Sequence, residues 1–221
     1  MLNPNNILAH RGLFKTRADM NSGSALANAL SHGFGIETDV RDLDGRIVIC
    51  HDPPTCSAEL PELSWLLDFL QATGCSGRIA LNVKADGLCV KIDALFKMSD
   101  IKSDQVFVFD MSIPDSISYM HKGFPFYTRF SEYEPSTTLL DAASGVWIDN
   151  FSGEFNQVRS AELLVQRGIR CAIVSSELHG RDPETLWREI AASEICHSQL
   201  FELCTDYPLE AEERFSTRPE K

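Results

Sequence analysis

Glu37 and Asp39 stand two residues apart in the run Ile36-Glu37-Thr38-Asp39-Val40. If this run is a strand, its alternation puts both acids on one face and Ile36, Thr38 and Val40 on the other. The acidic face is then either wet or holds a cation. Hard carboxylate oxygens suit Mg²⁺ or Ca²⁺, and the amide oxygen of Asn82, in Leu81-Asn82-Val83-Lys84, can complete a calcium site, although a neutral third ligand binds more weakly than a carboxylate. Two histidines, in His10-Arg11-Gly12 and His51-Asp52, titrate near neutrality, so one can take a proton while the other gives one. The Arg11 guanidinium can grip an anion by two prongs, and Gly12 lets backbone come close. A duller alternative pairs Glu37 and Asp39 with Arg11 and Lys84 in a buried charge network.

These groups need a scaffold that gathers them. Short apolar or β-branched runs at 7–9, 35–40, 79–83, 105–110, 126–129, 145–148, 170–174 and 200–205 read as strands, with 46–50 as an extra short one beside the second. Helical patterns cover 24–31, 63–71, 88–98, 113–121, 137–142, 154–167, 183–192 and 209–215. Strand and helix alternating to the end predict a parallel sheet, and eight such pairs close into a (β/α)8 TIM barrel, a single domain over 1–221. A doubly wound open sheet is the alternative. In a barrel the chemistry belongs at the mouth where strands end, and nearly every predicted strand delivers a polar group there. After His10, Glu37, Asp39, His51, Asn82 and Lys84, the later strands offer Asp110, Arg129, Asp149-Asn150, Ser175-Ser176 and Thr205-Asp206.

With 221 residues and 43% hydrophobic content the chain can bury one sizeable core. A net charge of −12 argues against nucleic acid or an anionic membrane surface as partner, and it means that an anionic small-molecule substrate needs a local cation. The first residues show no secretory signal pattern, and no apolar run reaches transmembrane length, so no stable membrane insertion is expected. Seven scattered cysteines, odd in number and never spaced C-x-x-C, predict free thiols in a reducing cytoplasm. Nothing in the sequence sets the oligomeric state.

The segments Ala9-His10-Arg11-Gly12, Ile36 to Asp52, Leu81 to Lys84 and the final Cys204-Thr205-Asp206-Tyr207-Pro208 together resemble the glycerophosphodiester phosphodiesterase family, whose pattern runs His-Arg-Gly, Glu-x-Asp, Asp-Gly, His-Asp, Glu-x-Lys and a late Thr-Asp. The strong match covers about the first third of the chain. The resemblance implies a TIM barrel that hydrolyses phosphodiesters with one divalent metal, Mg²⁺ or Ca²⁺. It makes His10 and His51 the acid–base pair, Glu37 and Asp39 metal ligands, and Arg11 and Lys84 contacts to the phosphate. Two departures stand out. Asn82 occupies the place of a metal-binding glutamate, and a short Pro53 to Glu62 segment replaces the lid insertion that often follows His-Asp.

Other readings remain beside this one. A catalytically weak or inactive phosphate-binding module derived from the enzyme fits Asn82 and the missing lid, against the retention of both histidines and both acids. An amidohydrolase-like metal hydrolase expects a His-x-His pair near the first strand, which is absent. A thiol nucleophile at Cys50 conflicts with strand parity, since Cys50 and His51 point to opposite faces. Thr205-Asp206 reads as a helix cap and turn, and Asp110 as a cap for the helix near Ile113. His32, His121, His179 and His197 are expected to lack acidic company. Phe130 and Trp147 fit either the core or an apolar part of the pocket.

Overall fold

The computed structural model describes residues 1–54 and 60–216. Thr55, Cys56 and the rest of 55–59, central to the expected short segment after His51-Asp52, lie outside the described residues. The strands are β1 (Ile7–His10), β2 (Gly35–Leu43), β3 (Arg46–Ile49), β4 (Ile79–Val83), β5 (Val106–Phe109), β6 (Tyr127–Phe130), β7 (Gly145–Ile148), β8 (Cys171–Val174) and β9 (Phe201–Thr205). The helices are α1 (Gly23–Ser31), α2 (Leu63–Thr73), α3 (Cys89–Lys97), α4 (Ile113–Lys122), α5 (Gln157–Gln166), α6 (Glu184–Ala192) and α7 (Pro208–Ser216).

Every strand except β3 joins one parallel ladder in the order β5-β4-β2-β1-β9-β8-β7-β6. The ring is completed by a parallel bridge between Val108 and Phe126, where the Val108 N–H donates to the Pro125 carbonyl at 3.0 Å. The chain is thus a (β/α)8 barrel rather than an open sheet. β3 runs antiparallel to β2 through Asp44 and Gly45, both at positive φ (48° and 84°), the backbone a tight two-residue hairpin needs.

Strand parity sorts side chains into two cores. Outward residues such as Ile36, Val40, Leu81 and Ile173 pack under the helices, with Leu26 and Leu30 of α1 and Leu66 and Leu70 of α2. Inward residues, among them Leu8, Phe107, Phe109, Tyr127, Trp147 and Cys204, fill the barrel as a separate cluster. Two ring pairs stack within it: Phe107 on Tyr127 at 3.7 Å and Phe109 on Trp147 at 3.9 Å. The lower end is plugged by charge. Fully buried Glu202 accepts from Arg78 Nε at 2.7 Å and from the Tyr127 hydroxyl at 3.0 Å, so both of its carboxylate oxygens are partnered.

One predicted helix is absent. Residues 137–142 form turns, with Leu139 at φ 61°, and the Thr138 carbonyl accepts from the Thr128 hydroxyl at 2.6 Å. A side chain on β6 has captured a carbonyl that a helix would use, and the β-branched Thr137 and Thr138 give the helix little support. The helix predicted from 154 begins instead at Gln157. Asn156 caps it by accepting from Arg159 N–H, while the Asn150 side chain collects the N–H groups of Gly153 and Phe155. Among the described residues no helix is long and apolar enough to cross a membrane.

Candidate active site

Neighbouring strands hold the acids and His10 in register. His10 pairs with Glu37 across β1 and β2, and Asp39 pairs with Asn82 across β2 and β4. His10, Arg11, Glu37, His51, Asn82 and Lys84 line one cavity of about 590 Å³ at the C-terminal mouth, and fully buried Asp39 lies beneath it. That volume lies in the range of small-molecule sites.

Arg11 and Gly12 make the turn that aims the first strand's polar end. Arg11 has φ 57°, and its N–H donates to the Glu37 carbonyl at 2.9 Å; Gly12 follows at φ 91°. A β-carbon on Gly12 would fall 2.6 Å from the Ala25 carbonyl carbon. The room that glycine leaves is therefore taken by the start of α1.

His10 is held by Asp206, with Nδ1 to Oδ1 at 2.7 Å, and its Nε2 lies 3.9 Å from Glu37 Oε2. Burial pulls its pKa down, but the hydrogen bond to Asp206 and the charges of Glu37 and Asp206 outweigh this and leave it raised. His51 is built the same way but outside: Nδ1 meets Asp52 Oδ1 at 2.8 Å, on a side chain 46% exposed. Both rings thus commit Nδ1 to a carboxylate and leave Nε2 for the cavity.

Asp39 carries the densest set of partners. Its Oδ2 accepts from the buried Asn21 amide at 2.8 Å, and Asn21 in turn accepts from the Thr38 hydroxyl at 2.8 Å. Arg11 Nε lies 2.9 Å from the same oxygen, as an ion-pair contact and not an aligned hydrogen bond. Lys84 Nζ stands 3.5 Å from Asp39 Oδ1 and 3.4 Å from Asp110 Oδ2. The charge-network alternative is thus physically present, through contacts that are long or misaligned.

Three buried oxygens nonetheless lack any hydrogen-bond partner: Glu37 Oε2, Asp39 Oδ1 and Asn82 Oδ1. Burial, then the neighbouring Asp39 charge, pushes the Glu37 carboxyl up to about 7. Orphaned buried acceptors are costly, and a hard cation is the partner this oxygen set fits. The set is two carboxylates and an amide; no group of three or more His, Cys, Asp or Glu side chains suited to a metal occurs among the described residues.

Several groups at the mouth take roles other than those expected. Asp206 holds His10 instead of serving only as a turn residue, while Thr205 does accept from the Tyr207 N–H at 3.0 Å. Its signal was parity, because Asp206 continues the inward series Glu202, Cys204 on β9. Asp110, at φ 74°, bridges Lys84 and Arg129, and the α4 cap is Ser112. His179 has acidic company after all, with Nε2 2.6 Å from Asp149 Oδ1. Phe130 and Trp147 line the cavity, Trp147 while also stacking in the core. Cys50 is no thiolate, since burial pushes its thiol up.

No protein-family model and no curated protein matches the sequence. Solved structures do match. A glycerophosphodiester phosphodiesterase from Parabacteroides distasonis is similar at 16% identity and TM-score 0.71, with 100% of each chain covered. One from Agrobacterium tumefaciens is similar at 20% identity and TM-score 0.68, covering 98% of this chain and 100% of that one. A phosphodiesterase from Oleispira antarctica, in complex with the product sn-glycerol-3-phosphate, gives 16% identity and TM-score 0.69 over 96% and 97% of the two chains. At such identities the likeness establishes a shared fold over the whole barrel.

Proposed function

We propose that the chain is a phosphoric diester hydrolase that cleaves a small-molecule phosphodiester of the glycerophosphodiester kind at the barrel mouth. The observation that carries this reading is the trio of unpartnered buried oxygens beside a carboxylate-held histidine, in one cavity. The sequence motifs that placed those residues, and the fold shared with phosphodiesterases, support it.

Glu37, Asp39 and Asn82 are the residues that would hold Mg²⁺ or Ca²⁺. Such an ion, when bound, neutralises charge on the non-bridging oxygens and so favours attack on an anionic diester. Arg11 and Lys84 hold the phosphate. The looseness of their contacts to Asp39 leaves both cations available to an incoming anion. His10 and His51 exchange protons at Nε2, one taking a proton from the attacking oxygen and the other giving one to the leaving oxygen. Six free cysteines among the described residues suit a reducing compartment such as the cytoplasm.

The Arg11 and Lys84 contacts to Asp39 favour one second reading, a phosphate-binding module with little catalysis in which those two cations stand in for a metal. Hydrolysis of bis(p-nitrophenyl) phosphate and of glycerophosphodiesters, measured with millimolar Mg²⁺ or Ca²⁺ and again with EDTA, separates the two. Metal-dependent turnover abolished by chelation is expected; full activity in the chelated protein removes the metal from the mechanism. Phosphate binding without turnover under any condition supports the module.

A further inference from the structure

Around the closed ring of strands β7 lies four places from β2 in either direction, so the wall built by β6, β7 and β8 faces the acids across the mouth. Asp149, next after β7, and His179, from the turn after β8, form a pair on that wall and line the same cavity as His10 and Glu37. With Nε2 committed to the carboxylate, the neutral ring carries its proton there. Its Nδ1 then remains an acceptor, with no hydrogen bond to the described residues. The Phe151 ring packs edge-on against the imidazole at 5.1 Å, and Tyr133 lies 6.0 Å from Phe151. These two rings are 47% and 72% exposed, so folding leaves aromatic surface open at the rim.

The wall's other acids are already engaged. Arg129 takes both Asp110 and Glu134, and Glu177 accepts from Ser175, Thr205 and the Asp206 N–H. Glu132, whose Oε2 has no hydrogen-bond partner, does not line the cavity, so among the described residues no unengaged carboxylate of this wall faces a cationic headgroup there. What the wall offers is an acceptor nitrogen beside open aromatic faces, and a hydroxylated ring matches both, with O–H donors at its edge and C–H groups on its face.

We propose that this wall is a subsite for a ring polyol, a sugar or cyclitol, esterified to the phosphate. A ring hydroxyl donates to His179 Nδ1 while the ring lies on Phe151 and Tyr133. The proposal rests on the phosphodiesterase reading and deepens it by naming the class of alcohol. His179 is then a specificity-determining residue, and Asp149 positions it.

The test uses two diesters with the same leaving group, glucose 6-(p-nitrophenyl phosphate) and cyclohexylmethyl p-nitrophenyl phosphate, which differ at the ring. Wild type is expected to favour the sugar ester roughly 10-fold in kcat/KM, mostly through KM, the order of one neutral hydrogen bond. His179→Ala should bring the ratio to about one by losing far more kcat/KM on the sugar ester than on the cyclohexylmethyl ester, and His179→Gln, which keeps an acceptor, should retain part of the preference. Equal losses on both esters, or a preference that survives His179→Ala, overturns the subsite. If wild type hydrolyses neither ester, the phosphodiesterase reading fails, and calorimetry with glucose 6-phosphate and cyclohexylmethyl phosphate reads the subsite alone. Tighter binding of the sugar phosphate that His179→Ala removes upholds it; equal binding of the two overturns it.

Discussion

Replacing Glu37 by glutamine should change how the stability of the metal-free protein depends on pH, in a direction set by the site. The Glu37 carboxyl lies at about 7 in the fold against 4.5 for an ordinary glutamate, chiefly because it is buried and then because Asp39 is beside it. A raised acid favours the folded state while protonated, so its contribution is intact below 4.5 and is lost as pH rises towards about 7. Moving a carboxyl over that interval corresponds to about 3 kcal/mol, the amount by which wild type should weaken relative to Glu37→Gln between pH 4.5 and 8. Paired urea titrations of the two proteins in EDTA, at half-unit pH steps, measure it, and the difference between them cancels the titrating groups that do not feel the Glu37 charge, leaving Glu37 with its neighbours His10 and Asp39. Repeating the series with saturating Mg²⁺ should flatten or reverse the trend for wild type only, since a bound cation favours the carboxylate. A difference that stays flat in EDTA would refute the reasoning, because Arg11 and Lys84 would then already compensate Glu37 and no charge would be waiting for an ion.

Three more outcomes follow from the same geometry. Asn82→Glu should tighten Mg²⁺ or Ca²⁺ binding by adding a charged oxygen to the set, and a calorimetric titration showing no tightening removes Asn82 from the ligands. Asp206→Asn should lower kcat roughly 10- to 100-fold with little change in KM, and should move the His10 limb of the pH–rate profile to lower pH, because the lost carboxylate was raising that group; an unmoved limb means that Asp206 does not position His10. His10→Ala and His51→Ala should differ in leaving-group sensitivity: the variant lacking the acid loses about 10²–10⁴-fold on an alkyl diester yet little on a p-nitrophenyl diester, whereas the variant lacking the base slows both. Retention by both variants of more than half the wild-type rate on the alkyl diester ends the acid–base assignment.

The barrel was legible because its strands are buried on both faces and so appear as apolar runs at regular spacing, each followed by a helical period. Where that rule lapses, at 137–142, the crossover from β6 to β7 is short, and one hydroxyl on Thr128 decides it by taking a carbonyl. No period in the sequence records such a bond. The acid pair was legible for the same reason as the strands, since alternation along β2 fixes which side chains face inward. Parity also accounts for two groups the strand ends had already placed at the rim: Asp206 continues β9, and Asp149 continues β7 after inward Trp147.

What parity cannot supply is the partner. His10 faces the cavity by virtue of β1, but its carboxylate arrives from the opposite end of the chain, 196 residues away. Asn21 reaches Asp39 only because a loop residue sits at φ 61°, and His179 reaches Asp149 only because the turn after β8 closes over β7. Strands therefore deliver the groups proposed to contact phosphate and ion, and their order is written in the sequence. Which carboxylate meets which histidine depends on neighbours distant in the chain, as His10 with Asp206 and His179 with Asp149 show. That division explains why the residues expected to do the chemistry on β1, β2 and β4 could be named from their spacing. It also explains why the pairing of His179 with Asp149 on the facing wall, where the proposed polyol would lie, became visible only once β7 and β8 stood opposite β2 and β4.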